Sequence, residues 1–143
     1  PYETWMRYVG RIAFPVYAFL IVEGYVHTSD VKKYLMRLGL FAVISEVPFD
    51  LAFNTSFFSM DCQNVYFTLF FGLLALILID VFSGQIFWQT LSALCMCLAA
   101  AELTTDYRYL GVIVIILFYV FRDRPFMKAV TVTLGLSYLS GPM

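Results

Sequence analysis

Glu23 and His27 stand four residues apart in Arg11-Ile-Ala-Phe-Pro-Val-Tyr-Ala-Phe-Leu-Ile-Val-Glu-Gly-Tyr-Val-His-Thr, a run otherwise apolar enough to enter a lipid bilayer. On a helix that spacing puts both side chains on one face. A carboxylate beside an imidazole fixes the ring's tautomer, which is the arrangement of a general base. The competing reading is a histidine at a helix end with a local carboxylate partner. Arg7 and Arg11 repeat the spacing. Arg7 reads equally well as an interfacial cation lying along apolar surface. Arg11 is deeper, and Pro15 has no N–H to donate to its carbonyl. A kinked, polar spot of this kind fits a cavity wall better than lipid contact. Glu46 precedes Pro48 inside a second apolar run, where a carboxylate must be protonated or paired. Arg11 or Arg7 is its expected partner. Charged groups at membrane depth face a bundle interior or a wet cavity. Arg7, Arg11, Glu23, His27 and Glu46 therefore form the candidate catalytic set.

A second constellation is basic. Lys32, Lys33 and Arg37 open the second apolar run, with Lys33 and Arg37 on one helical face. Such groups at a helix mouth can hold the phosphates of a nucleotide-like donor. The alternative is the ordinary excess of cations beside a membrane, in contact with lipid headgroups. Asp50 and Asp80 fall near run ends and read as solvated, while Glu102 and Asp106 bracket a turn and read as helix caps. Cys62, Cys95 and Cys97 show no zinc spacing and read as free thiols. No metal motif, phosphate-binding glycine loop or Ser-His-Asp order is present.

These groups must be carried by helices. The chain has 143 residues, 62% of them hydrophobic and only 13% charged, with a mean hydropathy of +0.82. A small soluble domain leaves too much surface wet to hide that excess, so the composition points to a bilayer. The net charge of −1 and the lack of a basic groove argue against nucleic acid. Six candidate spans follow, at about residues 8–27, 33–53, 64–82, 85–103, 107–121 and 126–139. Backbone groups in lipid must be satisfied within the segment, so the expected fold is an all-α, polytopic transmembrane bundle forming one domain over residues 1–143. Thr28-Ser29-Asp30, Ser83-Gly84-Gln85, Thr104-Thr105-Asp106 and Arg122-Asp123-Arg124-Pro125 read as turns and caps. Lys32, Lys33, Arg37, Arg122, Arg124 and Lys128 gather on one side and Arg7, Arg11 and Arg108 on the other, which puts the larger set in the cytoplasm. The first residue is then outside. That topology, and a chain that opens on Pro1, suggest a fragment preceded by at least one further helix and followed by others.

The run Arg7-x-x-Gly10-Arg11-Ile-Ala-Phe14-Pro15, then Phe19-Leu-Ile-Val-Glu23-Gly24-Tyr25-x-His27-Thr28, resembles the TraX family of integral membrane proteins. Lys32-Lys33-Tyr34-Leu-x-Arg37-Leu, Ile44-Ser45-Glu46-x-Pro48-Phe49 and Asn64-Val-Tyr-Phe-Thr68-Leu extend the likeness, as do Asp106-Tyr107 and Gly111. The resemblance implies acyl transfer in the bacterial cytoplasmic membrane. The family is associated with acetylation of the N-terminus of conjugative pilin. It is similar to a wider group of membrane enzymes that take acetyl groups from acetyl-CoA. In that group a phenylalanine-rich segment ending in a Gly-aromatic pair precedes a basic helix start. Phe19 to Tyr25 looks like the former, and Lys33 with Arg37 like the latter, meeting the CoA phosphates. The group's Asp-His pair or catalytic histidine sits on an earlier helix, so His27 does not match it by position.

The expected function is transfer of an acetyl group from acetyl-CoA to an amine or hydroxyl. Lys32, Lys33 and Arg37 would bind the donor without a metal. The pantetheine would thread between helices toward Arg7, Arg11, Glu23 and Glu46, with Arg11 available to stabilise an oxyanion. The acceptor (a protein N-terminus, a sugar or a small molecule) is left open. Two other classes fit the same features: a small-molecule transporter or flippase component, and a non-catalytic membrane assembly protein in which buried charges only fix helix register.

Overall fold

A computed structural model of the protein describes residues 2–53, 65–102 and 108–125, and side chains within these for 13–48, 65–102 and 109–125. Five helices follow one another: α1 (Tyr2–His27), α2 (Val31–Phe53), α3 (Val65–Val81), α4 (Ile86–Glu102) and α5 (Arg108–Val120). Each coincides with one of the first five expected spans. The sixth, 126–139, and the turn at 104–106 lie outside the described residues. Helices α1 and α2 run on through Pro15 and Pro48.

α3 is the central helix. It packs against α1, α2, α4 and α5, and its sequence explains why. Nearly every position is apolar, so it can bury a wide face: Thr68, Leu69, Gly72, Leu73, Ala75 and Leu76 are all buried. The main core joins Leu69, Leu73 and Leu76 to Phe14, Ala18, Ile21 and Val22 of α1, Leu38 of α2, and Ile115 and Phe118 of α5. A second core, Ala75, Ala100 and Val112, joins α3, α4 and α5 through small side chains. At Gly72 the α3–α5 approach is so close that an added Cβ would run into Ile115, with that residue's own Cβ and Cγ1 both 3.2 Å away.

The expected membrane-spanning character needs correction at this level. Among the described residues no helix is both long and apolar enough to cross a membrane. α1 and α2 are long, at 26 and 23 residues, but carry Arg7, Arg11 and Glu23, and Lys32, Lys33, Arg37 and Glu46. α3, α4 and α5 are more apolar but have 17, 17 and 13 residues.

The turns use the residues expected of them. Asp30 caps α2: its Oδ1 accepts the Lys33 backbone N–H at 3.1 Å, and its Oδ2 lies 3.2 Å from Lys33 Nζ. The backbone N–H of Lys33, then its side chain, hold the Asp30 carboxyl below the ordinary carboxylate range. Between α3 and α4, Gly84 takes φ +88°, the left-handed conformation that glycine adopts most readily. Ser83 N–H donates to Asp80 C=O and Gln85 N–H to Phe82 C=O.

Two outcomes follow. Gly72→Ala gains about 1 kcal/mol of helix propensity but overpacks α3 on α5 at a cost of about 1–3 kcal/mol. Thermal unfolding will show a net loss of stability, and Gly72→Ala combined with Ile115→Val, which removes the nearest methyl, will lose less than the sum of the single changes. A carboxyl whose value is lowered by folding stabilises above its unfolded value and ceases to do so as pH falls through the folded one. The protection of the Lys33 amide, its exchange rate relative to the unfolded chain at the same pH, will therefore weaken below roughly pH 4, and Asp30→Asn will flatten that pH dependence.

Candidate functional site

At the end of the bundle where α1 and α2 meet, a polar corner is built from the ends of α1, α3 and α5 and the starts of α2 and α4. His27 closes α1. Its Nδ1 lies 2.9 Å from the Glu23 carbonyl oxygen and 3.6 Å from Glu23 Oε2. An Nδ1–H donating to that carbonyl adds a second hydrogen bond to an acceptor near the helix end and leaves the lone pair of the neutral ring on Nε2. The ring is 74% exposed and the Glu23 side chain 38%. The i,i+4 pair thus lies on the outer side of α1. Tyr25, two residues from each, turns the other way, toward α3 and α5. On a helix residues two apart point to nearly opposite sides.

Tyr25 reaches Asp80, which sequence reasoning placed in solvent. The Tyr25 hydroxyl donates to Asp80 Oδ2 at 2.6 Å, and the Tyr119 hydroxyl donates to Oδ1, also at 2.6 Å. Both lengths are those of charge-assisted O–H···O⁻ bonds. The two rings meet edge to face at 5.8 Å, and the Arg122 guanidinium lies 5.5 Å from the Tyr119 ring centroid. One residue before Asp80, the Ile79 carbonyl accepts Gln89 Nε2 at 3.1 Å. Asp80 stays exposed to water on its free side, but it is gripped rather than merely solvated.

Lys32, Lys33 and Arg37 are exposed at the start of α2, at this same corner. Tyr34 packs over Gly24, where an added Cβ would come within 2.6 Å of the Tyr34 hydroxyl oxygen. That contact brings α1 and α2 together beside their connection. Away from it α1 packs on α5 and α3 instead of α2.

Glu46 is elsewhere. It lies more than three turns along α2 from Tyr34, about 18 Å at 1.5 Å per residue, and is 1% exposed. In α1, position 11 is equally far from Glu23, again about 18 Å. The five candidate catalytic residues thus divide by depth. Glu23 and His27 are at the corner, while Glu46 and the backbone of Arg11 are remote from it. Arg7 is one turn farther still. The side chains of Arg7 and Arg11 lie outside the described residues. Thr68, in the first turn of α3, is fully buried, and its hydroxyl has no hydrogen-bond partner among the described residues. A buried hydroxyl left unsatisfied costs about 1–3 kcal/mol.

Tyr25, Asp80, Tyr119 and Thr68 were not among the candidate site residues: the sequence set Tyr25 at the end of the phenylalanine-rich segment and read Asp80 as solvated. Tyrosines near span ends read as interface anchors, and nothing local links positions 25, 80 and 119. Thr68 does fall in a block shared with the resembled family, Asn64 to Leu69.

A family model described as TraX protein matches residues 1–140. The chain is 38% identical over 80 residues to a probable fimbrial assembly protein FimC, serogroup H1, of Dichelobacter nodosus. The matched region covers 51% of this chain and 33% of that protein, so the chain spans well under two thirds of the relative's length. No solved structure matches. With nearly its whole length covered by the family's pattern, this chain belongs to the TraX family.

Proposed function

We propose that the full protein is a membrane-embedded acetyltransferase that serves the assembly of a surface fibre. Acetyl-CoA would enter at the corner formed by α1 and α2. The observation that carries this reading is the separation within α2: exposed cations at its start and a carboxylate, Glu46, buried more than three turns deeper. An acyl-CoA needs both ends of that arrangement. Its phosphates require cations open to water, and its thioester requires a dry site with few, placed polar groups. Lys32, Lys33 and Arg37 suit the phosphates. Arg11, Glu46 and the Thr68 hydroxyl are the polar groups toward the far ends of their helices. In this scheme Arg11 and Thr68 stabilise the oxyanion formed at the thioester carbonyl. Glu23 and His27, at the corner, help to hold the donor and do not move its acyl group.

The bilayer reading rests on the outward faces. α2 turns Met36, Leu40, Phe41, Val43, Ile44 and Val47 outward, and α4 turns Ile86, Phe87, Trp88, Leu91, Leu94 and Leu98 outward. Contiguous apolar patches on this scale mark contact with lipid or another protein. α3 and α4 are apolar but only 17 residues each, so in a bilayer they would sit as short helices of a bundle. The basic corner would face the cytoplasm.

A second reading has specific support. The polar groups of the corner pair with one another, Glu23 with His27, Asp30 with Lys33, and Asp80 with two tyrosines. The relative from Dichelobacter is named as an assembly protein. A non-catalytic assembly factor would need no more than this.

Thermal unfolding of the purified full-length protein with desulfo-CoA separates the two. Under the enzyme reading the ligand raises the midpoint, and Lys32→Ala, Lys33→Ala and Arg37→Ala together remove most of that rise. Thr68→Val keeps the shape of the side chain and removes the unpaired hydroxyl. It will leave stability unchanged or slightly higher, while lowering kcat for acetyl transfer or acetyl-CoA hydrolysis by about 10²-fold, as expected for one oxyanion donor. No rise with desulfo-CoA, and no acetyl transfer or acetyl-CoA hydrolysis by the wild type, would leave the assembly reading.

A further inference from the structure

We propose that Asp80 is a positioning residue: through Tyr25 and Tyr119 it holds the end of α1 and thereby fixes Lys32 and Lys33 for a polyphosphate ligand. The ligand half of this inference rests on the acyl-donor reading; the mechanical half does not.

The chain of contacts is continuous. Asp80 stands one residue before the end of the central helix and takes a 2.6 Å bond from each tyrosine, one on α1 and one on α5. A carboxylate there meets the negative end of the α3 macrodipole, which disfavours it. The two hydroxyls offset this, so the carboxylate and both tyrosines are stable together and strained apart. Tyr25 stands two residues short of the end of α1. His27 then closes the helix on the Glu23 carbonyl, and only Thr28, Ser29 and Asp30 intervene before α2. Asp30 fixes Lys33 by backbone and side chain together. Tyr34, one residue on, rests on Gly24, one residue before Tyr25. The corner carrying Lys32 and Lys33 is thus braced between the Tyr34–Gly24 contact and the Tyr25–Asp80 bond. Because among the described residues α1 packs more on α5 and α3 than on α2, these braces set where the cations stand. On the other elements, Arg122 rests on Tyr119 and pairs with Asp123, Nε to Oδ2 3.7 Å, and Gln89 holds the adjoining Ile79 carbonyl.

Trypsin reads the corner directly, because it cuts after Lys32 and Lys33 only when the first turn of α2 opens. The full-length protein is digested with and without desulfo-CoA, and cutting is followed at Lys32, Lys33 and, as an internal reference, Arg37. Asp80→Asn will raise cutting at the two lysines by roughly tenfold, the equivalent of one charge-assisted hydrogen bond, with Arg37 little changed. Tyr25→Phe and Tyr119→Phe, which keep the rings, will each raise it less. Asp80→Glu will restore part of the protection. Asp80→Asn will also raise the desulfo-CoA concentration needed to slow cutting and the KM for acetyl-CoA, with kcat held. Wild-type cutting rates in all of these variants would overturn the inference. So would an equal rise at Arg37, which marks general unfolding. Should Asp80→Asn fail to fold, the two Phe variants carry the same test. Faster cutting in the variants, with no effect of desulfo-CoA on the wild type, would overturn the acyl-donor reading and leave the brace supported.

Discussion

The C-terminal end of α3 sets the terms for the rest of this bundle. A helix end leaves four carbonyls without intrahelical partners and carries partial negative charge. Here a carboxylate, Asp80, is added one residue before the end, which increases the demand for donors. The demand is met from every side. Leu78 C=O takes Phe82 N–H, Ile79 C=O takes the Gln89 amide, and Asp80 C=O takes Ser83 N–H. The carboxylate itself takes the Tyr25 and Tyr119 hydroxyls. α1, α4 and α5 each supply a donor to one end of one helix. Apolar packing along α3 is matched to one register, with Ile115 of α5 set against Gly72. The directional bonds at Asp80 reinforce it. They fix the depth of α1 and α5 relative to the centre, and with α1 the start of α2.

That fixed depth divides the polar residues into two groups about 18 Å apart along the helices. The corner is wet, charged and internally paired. The deeper level holds a buried carboxylate and a buried, unsatisfied hydroxyl. A long ligand with a charged head and a reactive tail uses both levels at once. A compact ligand such as an ion or a sugar uses one of them and leaves the other without purpose. Under the acyl-donor proposal, the two levels are matched to the two ends of one extended ligand.

Much of the fold was legible because the chain's signals are local. Apolar runs broken by Thr28-Ser29-Asp30 and by Ser83-Gly84-Gln85 mark helix ends wherever capping side chains and a glycine occur together, and α2 and α4 begin where those turns require. The i,i+4 relation of Glu23 and His27 was equally readable. Its direction was not. α1 is apolar on every side, with Val16, Tyr17 and Leu20 exposed and Phe14, Ala18 and Val22 buried, so hydrophobicity alone could not say which face turns inward. Tyr25 decides it. Once its hydroxyl is committed to Asp80, Glu23 and His27 must face out. The partners sit 55 and 39 residues away from Asp80, and no spacing rule connects them. The second depth was harder to separate for a related reason. The sequence shows that Arg11, Glu23 and Glu46 all interrupt apolar runs, but only the Gly24–Tyr34 contact shows that Glu23 and Glu46 interrupt them at different levels.

The same end of the bundle bears on how such short helices could sit in a bilayer. At 1.5 Å per residue α3 is about 25 Å long, less than the hydrocarbon core of about 30 Å. A short span is accommodated by thinning the membrane or by drawing polar flanking groups inward. Tyrosines are suited to that position, with an apolar ring in the hydrocarbon and a hydroxyl at the boundary. In this bundle the hydroxyls of Tyr25 and Tyr119 do more than mark the boundary. By donating hydrogen bonds to Asp80 they take the place of water on both oxygens of its carboxylate, and their rings flank it while its free side stays exposed. A carboxylate supplied with donors in this way can end a helix at the edge of lipid, and a helix ended there brings the cations of α2 to the same edge.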